Sequence, residues 1–180
     1  WAADRKTKKL SQLTEEEKAL VESYCENAKD VDEEYSRDAR LFDQIVFIAP
    51  LFRLSENQTM AGGKSYTYFF TVESSYPLLR SGHAVELEAV FKHDNGITRP
   101  FDETFCKTLR KMWVQFAKTG DPSLTAEQSP DGKEKVWPLY DLEDKQVMIF
   151  DEFDIHSEKE NERGILDWER TYFLTRYYCI

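Results

Sequence analysis

His83 is the residue best placed to do chemistry. It lies in Ser81-Gly82-His83-Ala84-Val85-Glu86-Leu87-Glu88-Ala89-Val90-Phe91, a polar turn that runs straight into an apolar-spaced segment. A free imidazole titrates at about 6.5, so it takes and returns a proton near neutral pH. Weighed against that, a single histidine in a glycine-containing loop is most often an ordinary loop residue. The other reactive side chains point nowhere in particular. Cys25, Cys106 and Cys179 are far apart and odd in number, so they form neither a disulfide framework nor a CxxC pair, and read as unpaired buried thiols. His83, His93 and His156 make no HxxxH pair, so no zinc site is expected. Gly63-Lys64-Ser65 imitates the end of a phosphate-binding loop, but Gln58 stands where that loop needs glycine, and a strand follows instead of a helix. Asn57-Gln58-Thr59 matches a glycosylation sequon, a pattern too common by chance to count.

The elements that must position His83 are legible on either side of it. Tyr66, Tyr68, Phe70 and Val72 alternate with Ser65, Thr67, Phe69 and Thr71, which predicts a strand over 66–72; Phe69 makes its second face apolar too. The order is then strand, loop, histidine, short helix. Gly82 is expected to let the loop turn sharply. Leu87, Val90 and Phe91 are expected to anchor the helix.

Elsewhere the chain reads as mostly helical. Leu10, Leu13, Leu20, Val21, Tyr24 and Ala28 predict a first helix, with Thr14 and Glu17 as a capping box. Val31, Tyr35, Ala39, Phe42, Ile45 and Val46 predict a second, which Pro50 should kink or end. Residues 57–63 read as a loop, and 93–100 as polar and turn-rich. Phe101, Phe105, Leu109, Met112, Trp113 and Phe116 give the clearest helical spacing, with Gly120 as a left-handed cap and Pro122 beyond it. Its aromatic stripe reads as a core face. A surface loop over 123–135 leads to the apolar anchor Trp137-Pro138-Leu139-Tyr140, and 147–150 is a short buried strand. Ser157 and Glu160 suggest a second capping box, opening a last helix through Ile165, Trp168, Tyr172, Phe173 and Tyr177.

Composition sets the outer limits. The 180 residues suit one domain of ordinary size, and 41% hydrophobic with 14% aromatic residues argues for a packed core despite 32% charge. Thirty-four acidic against 24 basic residues leave a net charge of -10, which repels phosphate backbones, so no nucleic-acid partner is expected. No apolar run is long enough to span a bilayer, and no membrane partner is expected. Residues 1–9 carry basic side chains with no apolar signal core behind them, and read as an interior stretch. The compartment stays open, with the cytoplasm favoured. No internal repeat appears.

Five patches, in order, resemble one family. They are Asp43-Gln44-Ile45-Val46-Phe47-Ile48-Ala49-Pro50; Tyr66-Thr67-Tyr68-Phe69-Phe70; Gly82-His83-Ala84-Val85-Glu86-Leu87-Glu88-Ala89-Val90-Phe91; Met112-Trp113-Val114-Gln115-Phe116-Ala117-Lys118-Thr119-Gly120-Asp121-Pro122; and Trp137-Pro138-Leu139-Tyr140. Together they resemble the type-B carboxylesterases, the cholinesterase-like branch of the α/β-hydrolases. The Trp113 to Pro122 stretch is the most specific. The resemblance implies an α/β class: the C-terminal part of an α/β-hydrolase fold, helix-rich with a few core strands, over 1–180. It implies that His83 is the triad base, that Glu86 is a neighbour and not the triad acid, and that no cofactor is needed. The glycine lies directly before His83 here, and Arg80 stands where many members have a small residue. No Gly-x-Ser-x-Gly nucleophile elbow occurs in the 180 residues. The resemblance therefore implies one of three triad members, an uncharged or weakly polar carboxylic ester as substrate, and a partner that is either the N-terminal portion of the same enzyme or another copy. The alternatives of other classes are a noncatalytic interaction module of the same fold and a fragment with no activity of its own.

Overall fold

The computed structural model describes residues 14–16, 18–19, 22, 42–75, 80–92 and 100–159. Contacts cluster into two units, Trp1–Asn57 with Glu160–Ile180, and Gln58–Lys159. In the first, Thr14 precedes helical residues and its carbonyl accepts the Lys18 N–H at 2.9 Å, as a helix start requires. Glu17, the other half of that box, lies outside the described residues, as does the stretch 31–39.

Pro50 does not end its helix. A π-helical segment, Gln44–Ile48, leads directly into α1, Ala49–Met60, and Pro50 is the second residue of α1. The Ala49 N–H donates to the Gln44 carbonyl, five residues back. A proline ring lacks a donor and crowds the carbonyl four residues before it. A wider turn immediately upstream relieves that crowding, so the helix widens and continues.

The expected loop over 57–63 is also corrected, because α1 runs on to Met60. Its end is a Schellman motif: the Gly63 N–H bonds the Gln58 carbonyl and the Gly62 N–H bonds that of Thr59, both at 2.9 Å. Gly62 takes φ 79°, where a side chain would be strained. The glycines mark the end of the helix, and the polar residues before them belong to its last turn.

Three strands form one sheet in the order β1 (Tyr68–Phe70), β2 (Gln146–Phe150), β3 (Ile155–Lys159). β1 and β2 are parallel, with Tyr68 opposite Met148 and Phe70 opposite Phe150. Parallel neighbours need a crossover, and the chain between them supplies α2 (Glu86–Phe91) and α3 (Glu103–Thr119). The strand predicted over 66–72 is shorter as a ladder, but flanking bonds extend it: Met148 N–H to Thr67 O at 2.9 Å and Thr71 N–H to Phe150 O at 3.0 Å. β2 is central, and Val147 to Phe150 are buried on both faces, as in a covered sheet.

β3 overturns the second capping box. Ser157 lies mid-strand, antiparallel to β2 and opposite Met148. The Ser-x-x-Glu spacing is a weak local signal, and β2 needs a partner on each edge, so the ladder wins. Glu160 and the helix expected after it lie outside the described residues.

α3 follows its spacing closely. Asp102 caps it by accepting the Phe105 N–H at 2.9 Å, and Gly120 closes it at φ 75° with its N–H on Phe116 O at 2.7 Å. Phe105, Leu109 and Met112 are buried on one face, each side chain contributing roughly 1.5–3 kcal/mol. They meet Val72, Met148 and Phe150 in the core. Cys106 is a free buried thiol whose titration burial pushes up; Cys25 and Cys179 lie outside the described residues. The loop over 123–135 is pinned by a Leu124–Lys135 bridge and by Asp131, which accepts from Ser129 Oγ and Lys135 Nζ. Burial pushes the Asp131 carboxyl up, but those bonds together outweigh it and hold the group well below the usual carboxylate range. No described helix is long and apolar enough to cross a membrane.

Candidate active site

β1 delivers the chain to the His83 turn. Past it, Val72 is buried, and the Ser74 N–H bonds the Arg80 carbonyl at 2.7 Å, closing the loop on itself. The turn then steps through Val85 N–H to Gly82 O and Leu87 N–H to Ala84 O, both at 3.3 Å, and enters α2. His83 lies within this turn with its side chain exposed. On either side of Gly82 and His83, Arg80 (φ 48°) and Ala84 (φ 69°) take left-handed backbone angles.

Ala84 is the residue directly after the histidine, and its left-handed backbone sets its Cβ against its own carbonyl. That costs about 1–2 kcal/mol in a non-glycine residue. Strain of this kind collects where a surrounding structure must hold a side chain in place. Ala84→Gly is therefore expected to stabilise the chain by roughly 0.5–1 kcal/mol, the relieved strain less the greater chain entropy of glycine. Ala84→Val should destabilise it. Urea unfolding midpoints check both; a Gly variant no more stable than the parent would show that the turn carries no strain.

Of the predicted anchors of α2, Val90 holds, and Leu87 and Phe91 do not. Val85 and Ala89 are almost fully buried and Val90 packs on the core, whereas Leu87 and Phe91 face solvent. A six-residue helix buries a narrow stripe, and the 85/89 pair, one turn apart, takes it. α2 ends at Lys92, left-handed at φ 56°, with its N–H on Glu88 O at 2.8 Å. From α3, Arg110 Nη1 donates to the Ala89 carbonyl at 2.8 Å, and its Nη2 to Glu103 Oε1 at 3.3 Å. Glu103 also pairs with Lys92 at 3.6 Å and Lys107 at 3.8 Å. At the other end of α2, the negative charge of Glu86 reaches the Tyr68 phenol on β1. Burial first, and that charge second, push the phenol up to about 12.

An apolar cavity of about 190 Å³ lies between β1 and the second half of α3, lined by Tyr66, Tyr68, Met112, Trp113, Phe116, Trp137 and Pro122. His83 is not part of its wall. His156 is placed apart from both, on β3, with Nε2 on Glu158 Oε1 at 2.8 Å and Nδ1 on Asp154 O at 3.1 Å; the Glu158 bond raises its pKa above the ordinary value. His93 lies outside the described residues. Among the described residues, no group of His, Cys, Asp or Glu is placed to hold a metal ion. Sequence reasoning singled out His83 and said nothing of Arg110, since a cation in mid-helix carries no motif.

A family model described as the carboxylesterase family matches residues 2–164. The chain is similar to the para-nitrobenzyl esterase of Bacillus subtilis (strain 168), at 33% identity over 95 residues, 48% of this chain and 18% of that protein. It is similar to the bile salt-activated lipase of Bos taurus at 28% identity over 170 residues, 86% of this chain and 28% of that one. Among solved structures it is similar to the Geobacillus stearothermophilus carboxylesterase EST55 at pH 6.2, with TM-score 0.66 and 25% identity over 91% of this chain and 34% of that chain. The helices and small mixed sheet are thus part of an α/β-hydrolase fold, and the chain spans no more than 34% of any of these relatives.

Proposed function

The chain belongs to the carboxylesterase family of hydrolases, and on that premise we propose that it is the C-terminal portion of a serine carboxylic-ester hydrolase, to which it supplies the triad base His83. The observation that carries this reading is the order of elements. A strand of the parallel pair ends, and a closed loop presents an exposed histidine just before a short helix. In the assembled enzyme His83 takes the proton of the nucleophilic serine as its oxygen bonds to the ester carbonyl. It gives that proton to the leaving alcohol, and then takes one from the water that releases the acid. The serine, the orienting acid and the oxyanion donors come from a segment outside these 180 residues, where no Gly-x-Ser-x-Gly occurs. The substrate class is an uncharged or weakly polar carboxylic ester.

The partner in this reading is the nucleophile-bearing portion of the same enzyme. One feature supports an unfilled surface in the chain by itself. Leu87 and Phe91, on the helix that follows His83, and Phe153 beyond β2, are exposed apolar side chains.

The test is hydrolysis of p-nitrophenyl acetate. The purified 180-residue chain is expected to show only background turnover, because the nucleophile and the oxyanion donors carry most of the rate enhancement. Joined to the segment that precedes it, it should turn over the ester and be inhibited by an organophosphate. Saturable, organophosphate-sensitive turnover by the chain alone sinks the proposal. A joined protein whose elbow lacks serine, and which stays inactive, favours the noncatalytic interaction module instead.

A further inference from the structure

We propose that Arg110 is a positioning residue for His83, a role that rests on the reading of His83 as triad base. α2 spans six residues, far too few for a helix to hold itself in water. Val85 has no side-chain cap bond to offer at its start. Packing of Val85, Ala89 and Val90 sets how deep α2 sits, and the exposed Lys92–Glu103 pair at its end is a long one, but small apolar contacts are not directional. Arg110 makes a directional bond. Its Nη1 reaches a carbonyl of the last turn, Ala89 O, at 2.8 Å. Such carbonyls have no partner within a helix.

Arginine is suited to this place by its geometry. Glu103 lies two turns earlier on the same face of α3, and its carboxylate takes Nη2 at 3.3 Å. One edge of the planar fork is thus fixed along α3, and the other is aimed across at α2. The Arg110 side chain is only 21% exposed, so water competes less for its bond to Ala89 O; Glu103 is 57% exposed, and its bond serves to orient the fork. Lysine carries a single ammonium on a flexible stem and cannot reproduce a fork that spans two helices. From Ala89 the chain runs back six residues to His83, through the strained Ala84. A rotation of α2 is therefore delivered to the imidazole, and a misplacement of about 1 Å can cost roughly 100-fold in rate.

The experiment has two arms. In the complete enzyme, Arg110→Ala and Arg110→Lys are expected to lower kcat by roughly 10- to 100-fold with KM within about twofold. The failure of lysine to rescue is the sign that the fork, and not the charge, matters. In the 180-residue chain, hydrogen exchange at the amides of 86–92 should speed by about tenfold or more in the same variants, with β2 unchanged. If Arg110→Ala does not fold, Arg110→Lys and Glu103→Ala decide, both expected to lower kcat in the same direction. Unchanged kcat in the Arg110 variants, beside a His83→Ala variant that is inactive, overturns the positioning role alone. Turnover that survives His83→Ala overturns the triad-base reading, and this proposal with it.

Discussion

His83→Ala in the complete enzyme is expected to lower kcat by about 10³-fold or more, leaving KM little changed. Alanine removes the only group in this segment proposed to move a proton, and general acid–base catalysis is worth roughly 10²–10⁴-fold before the loss of a functioning triad is added. The expectation is selective. His156 is committed to Asp154 and Glu158 on β3, so His156→Ala should leave kcat within about twofold, and His93→Ala should do the same. Equal losses in the three variants, or near-full activity in His83→Ala with normal folding, would show that His83 is not the base.

How much of this was legible in the sequence depends on how local each signal is. α3 was read closely, because its spacing, its Gly120 cap and the burial of Phe105, Leu109 and Met112 say the same thing, although Phe101 precedes the helix and Phe116 is half exposed. The order strand, loop, histidine, helix was also legible, as was β2. The misreadings fall where a distant partner outweighs a local pattern. Pro50 looked like a kink or a stop, and the stop fails because a π-helical turn upstream lets the helix pass. Ser157 and Glu160 looked like a helix start, yet residues 155–159 answer the open edge of β2. The apolar Leu87 and Phe91 looked like anchors, yet the buried stripe of α2 falls on the smaller Val85 and Ala89. Ala84 and Arg110 left no trace in the pattern: left-handed strain at an alanine has no composition, and a bond from mid-helix to a carbonyl 21 residues away has no spacing rule.

The largest expected effect on stability belongs to Phe150, at the end of β2. It is fully buried, and three rings meet it at edge-on or steep angles: Trp137 at 5.1 Å, Trp113 at 5.6 Å and Tyr68 at 5.7 Å between centroids. Those neighbours cannot easily close on a vacancy. Trp137 is held by its Nε1–H on Thr67 O at 3.2 Å and its backbone N–H on Ser123 Oγ at 3.1 Å. Trp113 belongs to α3, and Tyr68 to β1. A site walled by tethered rings keeps most of its cavity, so Phe150→Ala should cost about 3–5 kcal/mol. That is a large part of the 5–15 kcal/mol that holds a typical domain together. Phe150→Leu, which keeps most of the volume and loses the ring contacts, should cost about 1–2 kcal/mol. Phe153→Ala, three residues on and 86% exposed, should fall within about 0.5 kcal/mol of the parent. Urea unfolding followed by tryptophan fluorescence reads all three. The loss should also reach the site, because the Phe150 carbonyl takes the Thr71 N–H at 3.0 Å where β1 hands the chain to the His83 loop. Hydrogen exchange at 80–92 should rise in Phe150→Ala before the sheet itself opens. A Phe150→Ala variant as stable as Phe150→Leu would mean that the aromatic wall collapses freely, and that the ring cluster is not what holds β1, β2 and α3 together.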